Sequence, residues 1–515
     1  MPRRRAGAGR IGHTSFWDRR FRLEIYNRWN FPKLYCFYRN NCTGRLMIDF
    51  LPVRDRGRAP TLVEQTVDAF VHAIEKQAVR PGMAVPSVRE FARLHGLSTF
   101  TVASAYNRLV AQGWLDSRPG AGYRVAVRAR GARHGAVQTW QPPQLGAAWL
   151  LSDIYADHSV PIKAGCGWLP PEWVDETGLH QALRHQARVP AAQIGGYGHP
   201  YGYAPLREQV AAGLADHGMQ VEPAQVLLTQ GVTQGLDLVV RTLLKPGDTV
   251  VVESPCYTNL LQMLRLAGMR AAAVARTADG LDIGALEAAA ELHPRALFVN
   301  SALQNPTGTT LSMSNAFRIL QVAERHGMWV VEDDISRPLL GVTAPVLAAL
   351  DGGNRVIHLG GYSKTISPSM RVGYVVAQRD LVRDLARTKM AVGLTSPELM
   401  ERIVHRVVRD GYYRPHVERV RERLTLAHGQ VTAHMEDLGM EIYAQPRAGL
   451  FLWARPAARE AGRGSNRLAE LALRDGIWLA PGSFFDVEDR DTPWLRFNVA
   501  YAQAPTLWRF LARTQ

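Results

Sequence analysis

From Thr61 onward the apolar residues Val63, Val67, Phe70, Val71 and Ile74 recur at three- and four-residue intervals, the stripe of an α-helix buried on one side. Arg80-Pro81-Gly82 stops it. The next segment, PSVREFARLHG, predicts a second helix with Pro86 in its first turn and Gly96 at its C-terminal stop. Ser98 then caps a third helix that reaches Gly113, with Val102, Tyr106 and Leu109 on the face expected inside. WLDSRPGAGYRV adds two short β stretches around a Pro-Gly-Ala-Gly turn, so a hairpin closes this small segment.

The rhythm changes after residue 147. Short apolar runs (VLLTQ, TVVVES, ALFVNS, WVVEDD and VIHLGG) alternate with longer stretches of helical spacing. Such runs are strands buried on both faces, and their alternation with helices predicts an α/β fold around a largely parallel sheet. Between the two patterns, residues 128–146 are rich in Arg, Gly and Pro and have no period, which reads as a linker. Residues 1–59 also lack a sustained period. Within them, 1–46 read as a poorly ordered extension or a mis-assigned start, with Met47 an alternative initiation point. The organisation expected is an extension over 1–59, a helical domain over 60–127, the linker, and an α/β domain over 147–515.

Charge separates the two domains further. The 515 residues are 46% apolar and 21% charged, a globular composition, and carry a net charge of +15. Residues 1–130, with 23 Lys+Arg against 9 Asp+Glu, supply +14 of it. So uneven a distribution points to a polyanion partner for the front part alone. Three short helices, a hairpin and that charge predict a winged helix-turn-helix that binds double-stranded DNA. Its third helix would lie in the major groove, with Thr99, Thr101, Ser104 and Asn107 toward base edges. Arg93 and Arg108 read as solvated or phosphate-facing. The four cysteines (Cys36, Cys42, Cys166 and Cys256) form no metal-type pairs, fit a reducing cytoplasm and suggest no nucleophile. No apolar run approaches the roughly 20 residues of a membrane span.

The α/β domain carries the candidate chemistry. Lys364, in GGYSKTISPSMRVGY, follows Asp333 of WVVEDD by 31 residues, and Asp333 follows Asn305 of NPTG by 28. An amide, an acid and a lysine in that order, each after strand or turn residues, are what a pyridoxal phosphate site needs. The amine forms a Schiff base with the cofactor aldehyde, the acid holds the pyridine nitrogen, and the amide touches the ring oxygen. A buried Asp333 requires a partner. A protonated pyridine about 4 Å away, at an effective dielectric near 20, gives roughly 4 kcal/mol, or about three pKa units. In TQGVTQG the amides of Gly231 and Val232 and the Thr233 hydroxyl can meet a phosphate at a helix N-terminus; alone, the motif is an ordinary strand–helix junction. Tyr257, after ESPC, could stack on the ring or belong to the core, and NPTG alone could be a plain turn. Arg371 can return to the phosphate as a bidentate clamp. The joint order carries the reading.

With these motifs in place, residues 61–127 resemble the GntR winged helix and residues 147–515 resemble the fold type I aminotransferases; the fusion is similar to the MocR subfamily of bacterial transcriptional regulators. The resemblance implies pyridoxal 5'-phosphate as cofactor, Lys364 as the Schiff-base lysine, and Gly231, Val232, Thr233 and Arg371 around the phosphate. It implies Tyr257 stacked on the ring, Asn305 and Asp333 holding it, and Tyr197 of YGHPYGYAPLR reaching the partner subunit's cofactor in a homodimer. KAGCGWLPPEWV resembles the substrate-side loop, and Arg496 of WLRFNVAYA would bind an effector carboxylate. Arg89 and Arg118 match positions that contact DNA in the family. The function implied is sensing of a small amine or amino acid by aldimine exchange at Lys364, the alternative being an aminotransferase with an accessory DNA-binding module. Two departures bear on this. The family's tyrosine two or three residues after the ring aspartate is replaced by Ile335 and Ser336, and a serine three before the lysine by Gly361. Losing a charge-assisted hydrogen bond costs about 1.5–3 kcal/mol, which weakens the case for transamination more than for cofactor occupancy.

Overall fold

The computed structural model describes residues 61–76, 79–118, 122–126, 160–456 and 464–514. The expected extension over 1–59 and linker over 128–146 lie outside the described residues, as does the side chain of Arg118. The described residues form two compact units.

The first unit is three helices and a hairpin: α1 Leu62–Glu75, α2 Val88–His95, α3 Thr99–Ala111, β1 Leu115–Arg118 and β2 Gly122–Val125. Each helix begins where its sequence supplies a cap. Thr61 and Glu64 form a reciprocal capping box on α1, Ser87 accepts from the Glu90 amide, and Ser98 accepts from the Thr101 amide. Ser87 is thus the N-cap, so Pro86 precedes α2 and does not sit in its first turn. Gly96 ends α2 in the left-handed conformation. The core closes around the expected Phe70, Tyr106 and Leu109 together with Phe91 of α2, and the ring of Phe70 packs 5.2 Å from Phe91 and 5.5 Å from Tyr106. The Tyr106 hydroxyl, buried with its ring, donates to the Pro86 carbonyl at 3.0 Å. β1 and β2 pair antiparallel from Leu115–Val125 to Arg118–Gly122, the wing expected.

The second unit is built on an eight-stranded sheet of β3 Val226–Thr229, β4 Thr249–Ser254, β5 Arg270–Thr277, β6 Gly280–Leu281, β7 Ala296–Asn300, β8 Trp329–Asp333, β9 Val356–Gly361 and β10 Gly373–Val376, in the order β3-β10-β9-β8-β7-β4-β5-β6. From β9 to β5 all pairs are parallel; β10 runs antiparallel between β9 and β3. The apolar runs split by alternation. Val251, Leu297 and Val330 join one core, whereas Val250, Val252 and Val331 join the core on the opposite face. A smaller antiparallel sheet, β11 Glu441–Ile442, β12 Phe451–Arg455, β13 Ala480–Pro481 and β14 Leu495–Asn498, packs with the long helix Tyr413–Asp437 in a third core.

Phe70 has no exposed surface, so Phe70→Ala should cost the first unit about 3–5 kcal/mol. In the intact protein, amide hydrogen exchange across α1–α3 should accelerate at least about a hundredfold while protection of β7 to β9 stays unchanged.

Candidate functional site

The parallel strands end on one edge of the sheet, and the site residues lie just beyond those ends. In register, Asn300 at the end of β7 lies opposite Asp333 at the end of β8, and Asp333 lies opposite Leu359 of β9. Lys364 comes three residues beyond β9. The 31-residue step read in the sequence is therefore one turn of the fold, from one strand end through a crossover to the next. Tyr257 comes after β4 and opens the helix Thr258–Leu266, and Gly231 opens the helix Gly231–Leu243 after β3. A small cavity at this edge is lined by Glu253, Tyr257, Asn300, Asn305 and Asp333.

Burial sets the electrostatics. The Asp333 carboxylate keeps a narrow opening to the cavity but is otherwise enclosed, and burial pushes its pKa up to about 6, against a backbone hydrogen bond from Ile335 at 3.2 Å. Among the described residues no ion pair reaches it. Burial, then the nearby Arg496 charge, lowers the Lys364 amine to about 8, and its Nζ donates to the Gly167 carbonyl. Arg496 is 5% exposed, lies 4.7 Å from the Phe451 ring and 4.8 Å from that of Phe485, and donates to Asn305 Oδ1 at 2.7 Å and to the Gly165 carbonyl at 2.6 Å. With its oxygen so engaged, the Asn305 amide presents its nitrogen as the donor. Cys166 and Cys256 are buried free thiols, and burial raises Cys166 to about 12 and Cys256 well above its ordinary value, which disfavours the thiolate at both.

The helix N-terminus at Gly231 depends on two glycines. Gly231 has φ of 77°, and a Cβ there would stand 2.8 Å from the Arg371 guanidinium, which donates to the Gln230 carbonyl at 3.1 Å. Gly373 passes so close that a Cβ would meet the Gly231 and Val232 backbones at 2.7–2.9 Å. The structure therefore joins Gly231, Val232 and Arg371 at one helix N-terminus; Thr233 and Arg371 also line a wider cleft with Gln230, Gln234 and Leu266. Gly361 has a packing reason, since a Cβ would sit 3.1 Å from the Gly373 and Val372 backbones. Tyr197 stands apart from the others, 86% exposed in the single chain. Its loop is nonetheless anchored. The buried Lys389 ammonium donates to the Pro200 carbonyl at 3.0 Å and the Leu228 carbonyl at 2.8 Å, and Glu401 accepts from the Tyr203 amide at 2.8 Å.

Sequence reading missed several of these groups. Gly167 acts through a backbone carbonyl, and Gly373 through its lack of a side chain. The Glu253–Arg276 pair buried behind Asn300 and the Glu332–His358 pair beside Asp334–Arg337 lie in strands whose apolar neighbours hide them. In the first unit Arg89, Thr99 and Asn107 are exposed and Ser104 half-buried, while the Thr101 hydroxyl shares the Ser98 cap at 2.8 Å. Arg108 pairs with Glu64 at 3.7 Å.

Because the folded pKa of Asp333 exceeds its unfolded value, ionisation opposes folding. The penalty is absent when both states are protonated, grows between about pH 4 and 6, and is complete above about pH 6. Asp333→Asn should therefore stabilise the cofactor-free protein at pH 7 by up to about 3 kcal/mol, and chemical denaturation at pH 7 and pH 5 should show that advantage shrinking with acid.

Residues 177–513 match the aminotransferase class I and II family, and residues 62–125 match the gntR family of bacterial regulatory proteins. The chain is 30% identical to the HTH-type transcriptional regulator YdfD of Bacillus subtilis over 83% of its own length and 90% of that protein. It is 29% identical to the probable rhizopine catabolism regulatory protein MocR of Rhizobium meliloti over 65% and 69% of the two chains. Among solved structures it is similar to LysN, the α-aminoadipate aminotransferase of Thermus thermophilus complexed with N-(5'-phosphopyridoxyl)-L-leucine, at a TM-score of 0.65 and 28% identity, over 72% of this chain and 95% of that one. With a gntR helix-turn-helix in front of an aminotransferase-type α/β unit, in the arrangement that MocR and its relatives share, the chain belongs to the aminotransferase class I and II family and to its branch of gntR-type regulators.

Proposed function

We propose that this protein is a cytoplasmic, homodimeric transcriptional regulator that binds duplex DNA through its winged-helix unit, holds pyridoxal phosphate in its larger unit, and responds to a small amine or amino acid competing with Lys364. The observation that carries the reading is an enclosed acid, Asp333, that has no ion-pair partner among the described residues and lies within electrostatic reach of a lysine whose amine is lowered to about 8. That acid is suited to a pyridinium nitrogen, the Asn305 amide to the ring oxygen, Tyr257 to the ring face, and Gly231, Val232, Thr233 and Arg371 to the phosphate. When bound, the cofactor supplies an aldehyde carbon that one primary amine at a time can occupy. At pH 7 about a tenth of a Lys364 amine with pKa 8 is neutral, against less than about a thousandth for an ordinary lysine. Lys364 is thus prepared both to attach and to yield.

Arg496 supplies the charge that would select an effector carboxylate, and the rings of Phe451 and Phe485 hold it in place. An effector can shift the protein only through unequal affinity for two arrangements, which assigns to Arg496 and Lys364 the contacts that differ between states. The exposed Tyr197, Leu266, Val392 and Leu394 give a second copy an apolar surface to cover. The rival reading, a working aminotransferase with an accessory DNA-binding module, draws on the nearly complete site. Against it, Ile335 and Ser336 leave no phenol at the two positions beyond the ring aspartate. Amino-group transfer to 2-oxoglutarate at about one turnover per second or faster would favour that rival.

After incubation with pyridoxal phosphate and borohydride reduction, peptide mass analysis should find the phosphopyridoxyl group on Lys364 and none in Lys364→Ala. A protein that stays unlabelled overturns the cofactor reading. DNA binding should weaken steeply with salt, and Arg89→Ala should reduce the slope of log affinity against log salt by about 0.9 for one lost phosphate contact.

A further inference from the structure

The helix proposed to enter the major groove presents an outward face that a polar reading does not account for. On α3, Val102, Ala105, Tyr106 and Leu109 have no exposed surface and form the inward face. Residues three, four and seven positions along from Phe100, namely Ala103, Ser104 and Asn107, share the opposite face with it. Phe100 is 80% exposed, in the first turn, between Thr99 and Thr101. No Lys or Arg occurs on α3 before Arg108, and Arg108 is paired with Glu64 at the helix's far end. The front of this helix therefore lacks the forked donor that reads guanine. It offers instead an aromatic ring and the Ala103 methyl group. The surrounding charge, with Arg89 and Arg93 exposed on α2, belongs to a surface that meets a polyanion.

Resting on the DNA-binding reading above, we propose that Phe100 is a specificity-determining residue that packs against the 5-methyl group of a thymine in the major groove, so that the operator half-site carries an essential A·T pair under the start of α3. The thymine methyl is the apolar feature that a major-groove edge displays, and an aromatic side chain is a fitting partner for it. Thr99 and Ser104 flank the ring with hydroxyls that accept or donate to either base, so discrimination falls to Phe100. An exposed phenyl ring covered in this way also loses its contact with water, which adds affinity to specificity.

The test uses the full-length protein and a duplex selected by it from a randomised library. Each thymine of the selected site is replaced in turn by deoxyuridine, which removes the methyl group and leaves the pairing edge intact. At one thymine per half-site the wild-type protein should bind about fourfold more weakly, the value of one buried methyl-sized group. In Phe100→Ala the same replacement should cost less than about twofold, while the salt dependence of binding is unchanged. The ring is outside the core, so this variant keeps the fold. Specific binding with no thymine-to-uracil penalty, or a penalty that persists in Phe100→Ala, overturns the proposal and leaves the DNA-binding reading standing. A protein that binds no duplex at low salt overturns both. If Phe100→Ala changes the oligomeric state and not the base preference, a protein surface covers the ring and the proposal fails.

Discussion

A carboxylate enclosed at the end of β8 without an ion-pair partner among the described residues is a cost that the larger unit carries in the absence of a ligand, and much of the surrounding structure keeps that cost from being relieved internally. Asp334, the next residue along the chain, is already committed to Arg337 and to the Ser301 hydroxyl. Arg276, the buried cation behind the site, is committed to Glu253 and to the Asn300 carbonyl. Arg496 is held by two carbonyl-type oxygens between two aromatic rings. Each of these cations has a partner, which leaves Asp333 facing the cavity with the Lys364 charge acting on it but no ion pair among the described residues. The parallel sheet contributes by delivering Glu253, Asp333 and Asp334 at or just beyond strand ends, where side chains leave the apolar layers, while Arg496 comes from β14 of the smaller antiparallel sheet.

The architecture was largely legible because burial on both faces leaves a plain mark. VVV in β4 and ALFV in β7 admit no amphipathic alternative, and the regular return from one strand end to the next converts directly into the intervals between Asn305, Asp333 and Lys364. The first unit was legible for a different reason, since Thr61, Ser87 and Ser98 cap their helices with side chains a sequence displays. Less was visible where the backbone acts. Nothing in GWL marks Gly167 as the acceptor for Lys364, and Gly373 reads as a strand glycine until its closeness to Gly231 is seen. β11 and β13, two residues each, are too short for any period. Pro86 was expected in the first turn, but the helix starts two residues later at Val88, because the Ser87 hydroxyl accepts from the Glu90 amide and makes Ser87 the N-cap. The buried pairs Glu253–Arg276 and Glu332–His358 were hidden because their partners are far apart in sequence.

The two departures from the family pattern have unequal physical meaning. At Gly361 a side chain would meet the Gly373 and Val372 backbones at 3.1 Å, so the substitution is coupled to the close packing of β9 on β10. Ser336 is buried where the family carries a larger phenol, and no contact in the structure explains that change. The first departure concerns how the sheet fits together; the second alters what the cavity can donate.

Lys389 reinforces a junction that the backbone already makes, where the Leu228 amide donates to the Tyr201 carbonyl at 3.0 Å. Its ammonium bonds the Pro200 and Leu228 carbonyls at once, inside the protein, where releasing either oxygen strands a charge away from water. The segment that displays Tyr197 and the strand that leads into Gly231 are consequently held by one buried amine as well as by a backbone hydrogen bond.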